Sequence, residues 1–483
     1  MLTTLIPPPV KATARKTRFG FALAPRALWL FVVGCLLALP GFLSPHWAWI
    51  GIMATWNAFL CALLCADAFL LPSPPRIQVE RRFLSSPVLG EVTEIELEVL
   101  QDSSQVLDVR FSDALHPALA PMPLMGRVRA FPRDPARAAL ECIPNTRGDV
   151  ALGKVYLRYR GVLGLAERWA TADLSAQVRV FPPMERSPES TQLYLLRIRQ
   201  IALQKRRLRL RGAGREFESL REYQSGDEIR NIAWPATARR GKLITREFTT
   251  ERSQQVWIVL DAGRLSRTAF SLRRRVGAGF KRSIGDQAGD EDLLLNLTQL
   301  DQSTGAAVAL AQTVMQAGDK AGLLVYGQRI QQQLPPNTGT GYLRQFVDAL
   351  SQARAEWSEA NHLSAAARLK HLQRRRSLIL WITELADSAR RPEVVDAVID
   401  LSRRHLVLLV VLKNPELDAM AARQPQNAHQ MYVATASEEI LERRRSLLAQ
   451  LRSQGVLVVE TTADSVKADA INHYLDVKSR GLL

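Results

Sequence analysis

A chain of 483 residues with 47% hydrophobic and 23% charged side chains is too long for one ordinary domain and too apolar for a disordered protein. Its four cysteines form no CxxC pair and exclude a disulfide framework. The formal net charge of +17 calls for a polyanionic neighbour; because the basic residues are scattered and carry no nucleic-acid-binding motif, the expected neighbour is an anionic membrane surface and not nucleic acid.

Residues 1–26 read as a basic N-terminal segment holding Lys11, Arg15, Lys16, Arg18 and Arg26. Residues 27–71 carry two apolar runs, "ALWLFVVGCLLALPGFL" and "WAWIGIMATWNAFLCALLCADAFLL", separated by Ser44-Pro45-His46. Each can cross a hydrocarbon core of about 30 Å, so the sequence predicts a two-helix transmembrane hairpin. A cleaved signal peptide fits less well, because the second run follows at once and no small-residue cleavage site stands between them. Arg76, Arg81 and Arg82 follow the hairpin. Basic flanks at both ends predict a multi-pass protein with both ends and the soluble domains cytoplasmic. Asp67 reads as a charge tolerated at the end of the second span.

Residues 76–183 contain "RIQVERRF", "EVTEIELEVL", "LDVRFSDAL", "KVYLRYRGVLG" and "AQVRVFP", whose period-two alternation predicts an antiparallel β-sandwich. Residues 184–254 read as a basic linker helix, "LYLLRIRQIALQKRRLRLRGAG", followed by a segment dense in charges of both signs. From residue 255 to 483 the apolar runs "QVWIVLD", "KAGLLVYG", "SLILWITE", "HLVLLVVLK" and "GVLVVETT" alternate with helical stretches. That pattern predicts a doubly wound α/β domain, a parallel sheet covered on both faces. Residues 264–303, rich in glycine and in blocks of opposite charge, read as a long loop. Ligands of such sheets bind beyond the carboxyl ends of the strands. Asp261 and Glu384 end the first and third runs and are the candidate site carboxylates. No phosphate-binding glycine motif follows the first strand.

The stretch "GAGREFESLREYQSGDEIRNIAWPATARRGKLITREF" closely resembles the hallmark of the bacterial family called domain of unknown function 58. The order of the apolar runs, the strand-rich segment and "VLDAGR" around it fits the same family. The resemblance implies a C-terminal domain of von Willebrand factor A type, an inner-membrane location and an assembly or chaperone-like role beside a MoxR-type AAA+ ATPase. It also implies a place for magnesium, held by an Asp-x-Ser-x-Ser motif, a distant Thr and a later Asp, all hard oxygen ligands. The sequence departs from that pattern. Asp261 matches the first aspartate, but Gly263 and Leu265 replace the two serines, and Ser266 lies one residue out of register. Glu384 stands where an aspartate is expected, and the threonine, near "WSEANHLSAAARL", has no clear match. Asp261, Glu384 and Asp387 are remnant candidates for weak magnesium binding, and no cofactor is expected.

Three readings compete for the hallmark residues Arg221, Tyr223, Gly226, Asp227, Arg230, Trp234 and Arg239. As an acid–base site it lacks a nearby His or Cys, and carboxylates beside arginines have depressed pKa values. As a nucleic-acid grip its field is cancelled by interleaved acids. As a clasp, Gly226-Asp227 turns the chain, Trp234 fills an apolar socket and the arginines bind carboxylates and carbonyls. The clasp is the expectation, with surplus arginines left for a partner protein. The sequence thus predicts a multi-domain, non-enzymatic, membrane-anchored scaffold working with a MoxR-type AAA+ ATPase. The alternative is a metal-dependent hydrolase using Asp261 and Glu384. Asp261, without serine co-ligands, is expected to face solvent.

Overall fold

The computed structural model describes residues 6–37, 39, 47–120, 124–184, 196, 198–200, 216–225, 227, 229–249, 253–276, 291–385 and 392–482. Gly226, Asp387 and nearly all of the expected linker helix lie outside the described residues. The chain divides into two units, Met1–Pro183 with Ser271–Leu297, and Met184–Phe270 with Thr298–Leu483.

The first unit is built on two antiparallel sheets. β1 (Val10–Thr13), β3 (Ile77–Phe83), β4 (Thr93–Gln101) and β7 (Ala136–Cys142) form one, in the order β1-β3-β4-β7. The other has the order β2-β10-β9-β5-β6, from β2 (Arg15–Leu23), β5 (Leu107–Asp113), β6 (Leu124–Ala130), β9 (Val155–Arg160) and β10 (Ala166–Ala172). β8 (Gly148–Ala151) and β11 (Gln177–Val180) pair separately. Burial alternates strictly along β4 and β5, as it must when one face of each sheet meets the core and the other meets water. Arg81 of β3 and Asp113 of β5 are buried together and tie one sheet to the other: Arg81 Nε donates to Asp113 Oδ2 at 2.9 Å, and its remaining donors reach the carbonyls of Leu174 and Gly153 at 3.0 and 3.1 Å.

β1 and β2 correct the expectation of a basic tail over residues 1–26. Val10 pairs with Arg81 and Arg15 with Thr171, so chain that precedes the apolar helices completes both sheets. Lys11 and Lys16 sit at exposed positions, and Lys11 Nζ meets Glu80 at 2.9 Å; the charge count hid a strand whose cations point outward.

Between β2 and β3 run α1 (Pro25–Leu36) and α2 (Trp47–Leu70). Within α2, residues Trp49–Leu70 are long and apolar enough to cross a membrane. The 12 residues of α1 rise only about 18 Å, short of a bilayer core. Among the described residues one helix and not two meets the length, so the two-span hairpin expected from composition is not supported. α1 stops four residues before Pro40, whose ring removes a backbone donor. Asp67 is corrected as well. It is buried, and its Oδ2 accepts from the backbone N–H groups of Leu165 and Ala166 at 2.9 and 2.8 Å. It fastens the end of α2 to the two-sheet unit and is no merely tolerated charge.

In the second unit β12 (Glu216–Glu222) and β13 (Ile244–Thr249) pair antiparallel around α3 (Trp234–Arg240). The main sheet follows, with β14 (Gln255–Asp261), β17 (Lys320–Tyr326), β18 (Ile330–Asn337), β19 (Leu378–Glu384), β20 (Leu406–Leu412) and β21 (Leu457–Thr461) in the order β18-β17-β14-β19-β20-β21. Counted along the main sheet this is 3-2-1-4-5-6, the doubly wound order. All neighbours are parallel except the edge strand β18, which is antiparallel to β17. α6 (His362–Leu372), α7 (Glu393–Ser402) and α9 (Ala428–Ser453) bury Trp257, Val259 and Trp381 on one face. On β14 and β17 lies α4 (Gln299–Gln316), with α5 (Thr340–Gln352) and α10 (Val466–Ser479) beside it. The five predicted apolar runs are all present as strands because two covered faces demand apolar residues at every position.

The expected loop over 264–303 is largely structured. A 3-10 turn (Arg264–Arg267) leads into β15 (Ala269–Val276), which pairs with β16 (Glu291–Thr298); residues 277–290 lie outside the described residues. Thr298 then caps α4 in a reciprocal box with Asp301, Thr298 N donating to Asp301 Oδ2 at 2.9 Å.

Candidate functional site

At the carboxyl ends of β14, β19 and β20 a small cleft of about 10 Å³, room for about one water molecule, is lined by Asp261, Ser266, Gln299, Ser303, Thr383 and Glu384 over Ile382 and Leu412. Each polar group is placed by an element end: Asp261 closes β14, Thr383 and Glu384 close β19, and Gln299 and Ser303 lie on successive turns at the start of α4. Asp261 does not face solvent. It is only 8% exposed, with Oδ1 accepting from Gly263 N at 2.8 Å and Oδ2 from Thr383 Oγ1 at 2.6 Å. The chain turns back sharply after β14, so the carboxylate folds over its own loop. A Cβ on Gly263 would meet Ala360 at 2.8 Å, which is why glycine stands where a serine was expected.

Glu384 is largely buried, and its Oε2 has no hydrogen-bond partner. Burial pushes its carboxyl up to about 7; Asp261 adds to the rise, while Arg444 and a hydrogen bond from Gln299 oppose it. Arg444, reaching in from α9, is itself buried and donates to Leu412 O at 3.0 Å. Among the described residues the cleft therefore presents two carboxylates and several hydroxyl or amide groups, with the Arg444 guanidinium acting on Glu384 from outside the lining. Thr383, Gln299, Ser303 and Arg444 were missed from sequence. Thr383 was adjacent to a named residue, whereas Arg444 sits 60 residues beyond Glu384 in a helix that reads as solvated.

The donors do not fit magnesium, which demands a near-octahedral set of oxygens. Both Asp261 oxygens already accept protein donors. Gly263 and Leu265 offer no side-chain oxygen, and Ser266 Oγ donates to Gly263 O at 2.7 Å. No group of three His, Cys, Asp or Glu side chains gathers around one point among the described residues. Of the remnant candidates, Asp261 and Glu384 share the cleft, and Asp387 lies outside the described residues.

The hallmark forms a separate strand–helix–strand element. Arg221 Nη2 bonds Asp227 Oδ1 at 2.7 Å, while Gln224 N donates to Asp227 Oδ2 at 2.9 Å. Pro235 starts α3, and Gly241 ends it at φ 67°, a left-handed turn that glycine adopts without strain. Ala233 N donates to Ile244 O at 2.8 Å and Ile244 N to Thr237 Oγ1 at 3.0 Å, closing the loop onto β13. Ile232, Ala233 and Ile244 are buried.

Trp234 is not. It is 62% exposed at the first position of α3, so the socket expected for it is absent and the small core beneath the element is aliphatic. Arg230 and Arg239 are exposed, Tyr223 and Asp227 half-buried. Trp234→Ala should therefore change stability by less than about 0.5 kcal/mol, while Asp227→Ala should cost about 1–2 kcal/mol by freeing Arg221 and the Gln224 N–H. Parallel thermal melts check both, and a large loss from the tryptophan variant would return Trp234 to the core.

The sequence model of a family described as "Protein of unknown function DUF58" matches residues 219–277 and 296–453. Over those residues, a little under half of its length, the chain is similar to this family. The match takes in the hallmark from residue 219 on, β14, the cleft strands β19 and β20, and all of α9. The chain is also 36% identical over 66 residues to "Uncharacterized protein YeaD" of Bacillus subtilis (strain 168), a stretch covering 14% of this chain and 16% of that protein. Among solved structures it is similar to the conserved hypothetical protein BatB from Bacteroides thetaiotaomicron, with 12% identity and a TM-score of 0.27 over 46% of this chain and 99% of that one. It is also similar to the SpRpn10 VWA domain, with 9% identity and a TM-score of 0.26 over 46% of this chain and 95% of that one. At such scores the doubly wound assignment rests on the strand order of the chain itself.

Proposed function

We propose that this protein is a membrane-anchored scaffold that binds another protein through its hallmark element, with a MoxR-type AAA+ ATPase as the partner and the α/β domain acting as a von Willebrand factor A-like binding module. The observation that carries the reading is the exposed Trp234, set on a short rigid helix with Arg230 just before it and Arg239 and Arg240 in its last turn. Trp and Arg are the residue types that dominate protein–protein hot spots. A tryptophan held outward by a capped helix loses little entropy on docking. The cleft is compatible with the same reading, since both oxygens of Asp261 are engaged within the chain. Membrane anchoring is supported by the apolar length of α2.

The test is photocrosslinking in native membranes from a reactive residue placed at Trp234. Recovery of a MoxR-type ATPase, lost when Arg239 is also replaced by Ala while the melting temperature holds, is the expected result. Recovery of lipid or nucleic acid alone, or an unchanged capture after Arg239→Ala, refutes the reading.

A further inference from the structure

The roots of both apolar helices are tied to one loop, Gly161 to Leu165, between β9 and β10. Leu165 O accepts from Ala24 N, just before α1, and Leu165 N donates to Asp67, near the end of α2. The loop's two glycines lie against the same roots: a Cβ on Gly161 would sit 3.3 Å from Asp67 Oδ1 and 3.5 Å from Leu71 Cδ2, and one on Gly164 would sit 3.6 Å from Arg26 Nη1. Between these glycines stand Val162, 72% exposed, and Leu163, also exposed. An ordinary surface turn would carry Asn, Asp or Ser here. The surrounding surface is apolar too. Phe69 is 90% exposed and Leu70 is exposed, both beyond Asp67 on α2, while Phe21 and Leu23 are exposed on β2. Apolar surface thus continues past the level at which the loop is fastened. Arg26 and Arg76, at the two ends of the helical segment, are exposed cations.

We infer that the Gly161–Leu165 loop is a second membrane-contact element, with Val162 and Leu163 seated among lipid headgroups and the first acyl carbons beside the roots of α1 and α2. The inference rests on the membrane-anchor reading proposed above. A lipid surface is the occupant because the patch is continuous with the helix long enough to span. The apolar tip beside guanidinium groups is the chemistry of interfacial insertion into anionic bilayers. Seated this way, the loop prevents the two-sheet unit from swinging on its helical stem.

The test uses the full chain reconstituted in vesicles of phosphatidylcholine and phosphatidylglycerol. Cys35, Cys61 and Cys65 are replaced by Ala and buried Cys142 is left in place. An environment-sensitive fluorophore is attached in turn at Val162→Cys, at Ile50→Cys on α2 and at Met125→Cys on β6, all exposed positions. At Val162 the expected result is a blue-shifted emission quenched by lipids brominated near the headgroup, with water-like emission at Met125 and lipid quenching at Ile50, which lies at the far end of the span from the loop. A water-like label at Val162 with a lipid-quenched label at Ile50 overturns the loop inference and leaves the anchor intact. Water-like labels at both positions overturn the anchor and the loop together. Val162→Asp with Leu163→Asp should abolish shallow quenching of a label at Phe21→Cys while leaving the Ile50 signal unchanged, and an unaffected Phe21 signal counts against the loop.

Discussion

Arg81→Met should destabilise the two-sheet unit by about 3–5 kcal/mol, and the double variant Arg81→Met, Asp113→Leu should recover most of that loss. Arg81 and Asp113 have no exposed side-chain surface. Removing the guanidinium strands a carboxylate in the core and leaves the carbonyls of Leu174 and Gly153 without donors. Burial already raises the Asp113 carboxyl above its ordinary range against the pull of Arg81, so desolvation outweighs attraction even in the intact pair. Burial, with the Asp113 charge adding to it, pushes the Cys142 thiol up to about 12. An expensive pair of this kind is costly to break and cheap to replace whole. Urea unfolding of the detergent-solubilised chain, read by near-UV circular dichroism, measures the cycle. A double variant as unstable as the single would show that the pair itself, and not the stranded charge, carries the energy.

The parts of the fold that were legible in the sequence were those where one physical demand fixes every residue. The four inner strands of the main sheet read directly because both faces are covered, and the edge strand β21 kept enough apolar residues to read with them, whereas β18, "IQQQLPPN", was missed: as an antiparallel edge strand paired on one side only, it carries glutamines and two prolines that an inner strand excludes. β2, "RKTRFGFAL", was missed for the opposite reason, since cations at its outward positions looked like a tail. The hallmark's turn and ion pair followed from Asp227 and its neighbouring arginine. Trp234 misled because a large apolar side chain is a core signal unless something else fills the core, and here Ile232 and Ile244 do. In the cleft, Asp261 and Glu384 were legible from their strand-end positions. Their burial was not, because it depends on Ala360 pressing on Gly263 and on Arg444 arriving from α9, contacts between segments far apart in the chain.

Glu384→Gln should stabilise the α/β unit at pH 8 by about 2–3 kcal/mol and have little effect near pH 4, with the difference growing between them. A carboxyl ordinarily near 4.5 is held at about 7 in the folded protein, so between those values the folded state binds more protons than the unfolded chain. Stability from this group is then fully present below about 4.5 and is lost as pH rises through 7, a change of about 3 kcal/mol. Burial is the larger cause and the Asp261 charge adds to it; the attraction of Arg444 opposes both and does not prevail. Glutamine keeps the shape and an amide partner for Gln299 but never acquires the charge. Arg444 keeps Leu412 O as an acceptor, and Glu460 and Asp418 remain as its other favourable charges, so its loss from the exchange is partial. Denaturant titrations of both proteins at half-unit pH steps isolate the effect, because every other group cancels in the difference. A variant that becomes less stable than the parent as pH rises would mean that Arg444 dominates and that Glu384 is its counter-ion. A difference that closes at high pH, as expected for neither case, would place Glu384 in solvent. The expected outcome leaves Glu384 changing charge near neutrality at the carboxyl edge of the sheet.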